Sequence, residues 1–336
     1  MGPGVRGPAR RGRSAAALGL ILAVGIARAG VAPFHTADRA AFARVHALPP
    51  AEAGSLVPPG ALDARVVLEV SNQFAPDATA TETIALDGET QTVVLALRYG
   101  VAPAWEAGLD IPYVAHNGGV LDGFIDGWHR VTGLPGHGRA DADHGLVRYT
   151  HETSGRDPAG IDGPACGPGD VQVSVARQIA RSPRGRAAAL RATLQLPTGR
   201  SRDLLGSGAP ELALRVTAED TGTLARLGLA GYAGLGVLWM APGEVLPDRQ
   251  RRVAWLATLG AEWAVLDRLV LRVQADGHTA LYRSGLRPLG SGSLQLFMGG
   301  SIGLPGDTWL DLGVGEDVYV DSAPDTTFHA AVRRRF

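Results

Sequence analysis

Lysine is missing from this chain: all 32 basic residues are arginine. Nothing in the chemistry demands this, and it reads as codon bias. Cysteine is almost missing. Cys166 stands alone, so no internal disulfide can form and stability must come from elsewhere. An excess of positive charge is also lacking. Residues 1–29 hold five Arg (Arg6, Arg10, Arg11, Arg13 and Arg28) and no acid, which leaves 27 basic against 33 acidic residues, net −6, in the rest. That balance argues against nucleic acid as a partner. Long apolar runs are missing too. Beyond residue 29 none approaches the roughly 20 residues of a transmembrane helix.

What is present at the start is an export signal. Arg6, Arg10, Arg11 and Arg13 form a basic region, residues 15–26 (AAALGLILAVGI) an apolar one, and Ala27-Arg28-Ala29 a small-x-small cleavage pattern. The mature chain is expected to begin near Gly30. No Cys follows the cut, which argues against a lipoprotein. The expected organisation is a signal peptide over 1–29, a periplasmic lead segment over 30–62 and a barrel over 63–336. The lead is rich in Ala and Pro and is expected to carry little structure, a short plug being the other option.

Alternation dominates the remainder. Residues 63–74 set Ala64, Val66, Leu68 and Val70 against Asp63, Arg65, Glu69, Ser71 and Gln73. Residues 105–113 are apolar at every odd position, with Trp105 and Tyr113 at the ends, as where a strand meets both membrane interfaces. Residues 187–196, 253–263 and 269–276 repeat the pattern. The spacing predicts strands near 63–74, 91–99, 104–113, 169–180, 187–197, 209–218, 223–238, 251–264, 268–279, 291–302, 308–318 and 326–336. Residues 144–151 are assigned to a hairpin arm within the second long connection. A soluble β-sandwich also alternates, but its strands run about 5 to 6 residues. Strands of about 9 to 12 residues, with connections alternating between long and short except for the short last one near 321–325, favour an all-β, closed antiparallel transmembrane barrel of about 12 strands.

This assignment turns Arg65, Glu69, Arg98, Glu106, Asp110, Arg191, Glu211, Arg215, Arg226, Glu262, Arg272 and Asp276 into one lumen. Their mixed signs suggest a partly filled, salt-bridged interior and a narrow or gated pore. Bracing of the barrel explains them as well as solute selection does. Residues 119–134 carry helical spacing at Leu121, Phe124, Ile125, Trp128 and Val131, within a connection of about 55 residues.

Several stretches resemble known families. GPGDV at 167–171, LQLPTG at 194–199 and LLGSGAPEL at 204–212 are similar to the outer-membrane family named after the MetA pathway of phenol degradation. The run FIDGWHRVTGLPGHGR at 124–139, with Phe124, Asp126, Trp128, His129 and Arg139, resembles the signature of the bacterial domain-of-unknown-function 3187 family. Both imply an outer-membrane β-barrel, and the first implies passage of small hydrophobic or aromatic compounds. The resemblance also implies a terminal assembly signal. Phe336 follows Phe328, Ala330 and Val332 on one face, with Arg334 as a departure from the usual residue.

The expected partners are outer-membrane lipid, the barrel assembly machinery and a small-molecule solute, with no cofactor and no metal. The expected function is a passive channel for small solutes, hydrophobic ones included. One alternative is a barrel-borne lipid hydrolase using His151 and Ser154, although no GxSxG elbow is present. Another is a structural or surface-recognition barrel with a blocked lumen. His129, His137 and His144 of the long connection lack metal-ligand spacing.

Overall fold

The computed structural model describes Gly2 and residues 30–119, 146–155, 158–318 and 322–336. Among them twelve long strands follow one another: β1 Leu62–Phe74, β2 Glu82–Ala102, β3 Trp105–Asn117, β4 Val171–Arg181, β5 Arg186–Leu196, β6 Glu211–Asp220, β7 Leu229–Met240, β8 Val253–Leu266, β9 Leu269–His278, β10 Ser293–Leu304, β11 Thr308–Asp317 and β12 Thr326–Arg335. Each pairs antiparallel with its sequence neighbours, and β1 pairs with β12 to close the ring (Val66 opposite Val332 and Leu95). Phe336 adds the last rung: its N–H donates to Leu62 O at 2.8 Å, and Leu62 N–H donates back at 3.1 Å. With no open edge, every strand satisfies its main chain within the sheet, which is what hydrocarbon surroundings require.

The pleat sends alternate residues to opposite faces. Outward go Val66, Leu68, Ile111, Leu190, Val216, Leu235, Leu259, Leu271 and Val332, all exposed. Aromatic residues mark both ends of this apolar wall. Tyr99, Trp105, Trp263 and Phe336 lie toward the short-turn end, and Tyr113, Trp239 and Trp255 toward the long-loop end. Arg334 shares the outward face at the short-turn end. Its guanidinium lies 4.8 Å from the Phe336 ring, a cation–π contact.

Three expectations need correction. First, residues 82–90 are not loop but the outer half of the 21-residue β2, which extends past its neighbours and pairs with a short strand, Arg148–Thr153. Glu82, Ile84 and Leu86 keep the inward alternation there, but against a loop hairpin. Second, β7 begins at Leu229 and not at residue 223. Asp220 Oδ1 accepts from the N–H groups of Gly222 and Thr223 (2.9 and 2.8 Å), winding residues 221–228 into a turn with a 3₁₀ segment at Ala225–Leu227. Arg226 therefore sits exposed on a turn and does not line the lumen. Third, the segment over 30–62 is neither a lead outside the barrel nor short of structure. It runs up the interior and back, as described below.

The outward orientation has a direct test. Leu235 lies near the middle of β7, 70% exposed, whereas Leu227 is on a turn at 63%. Leu235→Arg is expected to lower the folding free energy in lipid vesicles by about 2–4 kcal/mol and Leu227→Arg by only about 0–1. Urea titration of the refolded proteins measures both, and equal stabilities would contradict a lipid-facing wall.

Candidate functional site

The barrel interior contains a hairpin made by residues 30–58. Its first arm climbs from the short-turn end along β8 and β9, and the main-chain N–H groups of Ala32 and Phe34 donate to Glu262 Oε1 and Gln274 Oε1, both at 2.9 Å. Thr36 Oγ1 then donates to Asp276 Oδ2 at 2.8 Å, and Asp38 Oδ2 lies 2.9 Å from His278 Nε2. Even-numbered residues of the arm thus meet successive inward residues of the wall. The apex turns over at the long-loop end. There Arg39 pairs with Glu69, and His46 Nδ1 lies 2.7 Å from Glu211 Oε1, with its Nε2 2.8 Å from the Tyr282 hydroxyl. The second arm descends past Arg215, which donates to the carbonyls of Pro49 and Pro50 at 2.8 Å each. It reaches β1 after Val57 N–H donates to Glu106 Oε2 at 2.8 Å.

The ends of this plug differ chemically. The apex packs Phe42, Val45 and Leu48 into an apolar cluster with Tyr149, Leu204, Leu246, Tyr282 and Leu286 from the surrounding loops and strands. The arms are held mainly by polar contacts, joined by Phe34 beneath the Arg272 guanidinium and Leu56 against Ala176 and Ala189. Gly54 shows how close the second arm comes. An added Cβ there would lie 2.5 Å from Ala187 O and 2.7 Å from Glu219 N, so no larger residue fits without moving the main chain. Cavities of about 50 and 40 Å³ remain beside the plug. Organic ligands usually occupy about 300–1,000 Å³.

The charges expected in the lumen face inward, Arg226 apart, and the structure gives their partners. Arg98 is bidentate to Asp110 (2.7 and 2.9 Å) and also holds Glu52 of the plug (2.6 Å). Arg191 pairs with Glu106 at 2.8 Å. Arg272 and Glu262 pair at 2.9 Å with side chains wholly buried, and the Arg272 guanidinium stacks on Phe34 at 4.4 Å. Arg65 lies 3.2 Å from Asp63, and Asp276 accepts from Thr36, Thr258 and Gln274. Each pairing offsets the cost of removing a charge from water.

Residues outside the expected set contribute as much. Gln178, Gln195, Gln274, Thr217 and Glu219 all bond the plug. Gln195 and Gln274 are readable from parity, since they fall on the same strand faces as Arg191 and Arg272. Glu219 was assigned to a turn and is the penultimate residue of β6. Phe124, Asp126, Trp128, His129 and Arg139 lie outside the described residues, as do His137, His144 and, Gly2 apart, the expected signal segment.

The glycine-rich motifs converge on one carboxylate. Asp170 Oδ1 accepts from Gly199 N–H at 2.7 Å, and Oδ2 from Ser207 N–H at 2.9 Å and Gln195 Nε2 at 3.0 Å. Thr198 Oγ1 donates to Gly169 O and accepts from Val171 N–H, both at 2.9 Å. A Cβ at Gly206 would lie 2.2 Å from Asp170 Oδ1, which explains a glycine at that place. GPGDV, LPTG and GSG are therefore three sides of a clamp that holds the 197–210 connection over the barrel mouth. Burial pushes the Asp170 carboxyl up from the usual range, against the pull of the Gly199 and Ser207 N–H donors.

Arg98 joins the wall to the plug, so Arg98→Leu strands two buried carboxylates, Glu52 and Asp110. The expected loss is about 3–5 kcal/mol in denaturant unfolding, with faster proteolysis inside residues 48–58. An additional Glu52→Gln and Asp110→Asn change should restore most of the loss. A single variant as stable as the parent would show that the pairing carries no weight.

No curated protein matches the chain. Among solved structures it is similar to the COG4313 outer membrane channel from Pseudomonas putida F1, with a TM-score of 0.55 and 13% identity over 83% of this chain and 97% of that one. The Ralstonia pickettii toluene transporter TbuX is more distant, with a TM-score of 0.40 and 10% identity over 83% and 90%. At 13% identity the first likeness is one of fold, a closed barrel of outer-membrane type. A family model matches residues 20–336, and the chain belongs to that family, Protein of unknown function (DUF3187).

Proposed function

We propose that this protein is a passive channel of the outer membrane that is closed by its own N-terminal hairpin. On this reading the short turns face the periplasm, and small solutes pass when residues 30–58 leave the lumen. The observation that carries the proposal is the way the plug is held. Its arms meet the wall through hydrogen bonds and ion pairs, which water can replace group by group at modest net cost. Among the described residues it joins the barrel only through residues 58–61. A core packed for stability alone would be expected to use apolar contacts, as the apex does.

The wall around the arms is polar along its length and carries both signs. That favours hydrated solutes over the apolar compounds implied by the phenol-degradation resemblance, and it excludes neither anions nor cations strongly. The apolar cluster at the apex supports the second reading, a barrel permanently blocked and used for structure or surface recognition.

The hydrolase reading has weaker support. His151 is buried 3.3 Å from Glu82 Oε2, and Glu82 also receives Arg249 Nη1 (2.7 Å) and Ser284 Oγ (2.6 Å). Ser154 lies on an exposed turn. His151 serves here to anchor the rim, so His151→Ala and Ser154→Ala are expected to leave lipid release from vesicles at background.

Planar-bilayer recording separates channel from blocked barrel. The parent should show rare, brief openings. Gly54→Val, which cannot seat against Ala187 O, should raise the open probability by about tenfold or more, a change of about 1.4 kcal/mol in the closed state. Uptake of small hydrophilic solutes should fall in a deletion strain. A silent Gly54→Val barrel together with unchanged uptake would leave the blocked barrel as the function.

A further inference from the structure

The second arm of the plug is read by the wall mainly through its backbone. Between residues 49 and 57 Arg215 donates to the carbonyls of Pro49 and Pro50, Thr217 Oγ1 to Ala53 O (3.0 Å) and Gln178 Nε2 to Gly54 O (2.7 Å). In the other direction Gly54 N–H donates to Glu219 Oε2 (3.1 Å), Leu56 N–H to Gln178 Oε1 (3.1 Å) and Val57 N–H to Glu106 Oε2 (2.8 Å). Gln178 thus spans one residue of main chain with both ends of its carboxamide. Two side chains of the stretch are held as well: Ser55 reaches Glu219, and Glu52 takes Arg98. The others are Pro, Ala, Gly, Leu and Val, which offer the wall nothing polar.

Donors and acceptors aimed at peptide groups are largely indifferent to which side chains those groups carry. A wall that uses Arg215, Thr217, Gln178, Glu219 and Glu106 in this way suits extended chains of small residues that place a glycine where Ala187 O and Glu219 N close in. Arg98 adds a requirement for one carboxylate, because without Glu52 it keeps only Asp110. We propose that the inner wall of β2–β6 is a peptide-binding subsite, that the solutes of the channel include short, extended, acidic oligopeptides with small or imino side chains, and that residues 49–57 occupy the subsite as a tethered stand-in. This rests on the channel reading above and assigns its solute class.

The test uses the full-length protein with the arm dislodged, as Gly54→Val and independently as Glu52→Arg, which sets like charges against Arg98. The probes are the synthetic nonapeptide PPAEAGSLV, the same composition with both prolines, the glutamate and the glycine kept in place and the other five residues scrambled, the parent order with its glutamate replaced by glutamine, and the parent N-methylated at its last two residues. Calorimetry in detergent micelles measures binding, and block of the bilayer current measures occupancy of the pore. The parent and scrambled peptides should bind within about threefold of each other. The glutamine and N-methyl forms should each bind about tenfold more weakly, as expected for one lost ion pair or two lost hydrogen bonds. Peptides that give no heat with either variant, or an N-methylated form that binds as well as its parent, would overturn the subsite. Absent current combined with peptide heat would instead overturn the channel reading and leave the subsite standing.

Discussion

Closing a sheet upon itself imposes the constraint on which everything else here depends. Every second side chain is sent into a confined space, and each polar group placed there must find a partner within it. The wall of this barrel carries Arg65, Arg98, Arg191, Arg215, Arg272 and Arg333 among Glu69, Glu106, Glu211, Glu262, Asp276 and Asp311. The wall itself pairs most of them, as in Arg272–Glu262, Arg191–Glu106, Arg98–Asp110 and Arg333–Asp311. The plug adds further partners. It brings Arg39 to Glu69, Glu52 to Arg98, His46 to Glu211 and main-chain carbonyls to Arg215. Plug and wall are therefore one electrostatic unit, although they are separate in the chain.

That unit has a graded structure along its axis. At the long-loop end the hairpin apex lies in an apolar cluster under the 197–210, 241–252 and 279–292 connections. Toward the short-turn end it is held by hydrogen bonds. Apolar packing resists water at one end, while the polar arms can trade their partners for water at the other. On the channel reading proposed above, a motion that begins at the polar end would lose little at each step and would give the hairpin a direction in which to leave. The Asp170 clamp contributes by holding the mouth loop in place independently of the plug arms.

Much of the wall was legible in the residues. Period-2 alternation placed Ala64, Val66 and Leu68 outward and Glu69 inward, and it did so for strands as distant as Leu269–His278. It failed where strand and turn chemistry overlap. Arg226 lay in a stretch whose apolar content continued the alternation, but Asp220 collects two N–H groups and winds the chain into a turn first. The outer half of β2 was missed because its inward positions, Glu82, Ile84 and Leu86, mix polar with apolar and match no single face. Glycine motifs were visible as motifs. Their meaning needed Gly199, Gly206 and Ser207 to be seen around one carboxylate.

By itself the sequence determined a cylinder: strand length and parity are local properties, each written within a dozen residues, and the alternation of long and short connections follows from where the strands fall. Only the tertiary structure decided that residues 30–58 lie inside it. That segment has no periodicity of its own, being Ala, Pro and Gly with scattered charges. Its partners lie as far as 240 positions along the chain, where Phe34 meets Gln274 and Thr36 meets Asp276. No window of sequence holds both halves of such a contact, so the plug exists only once the wall has closed around it.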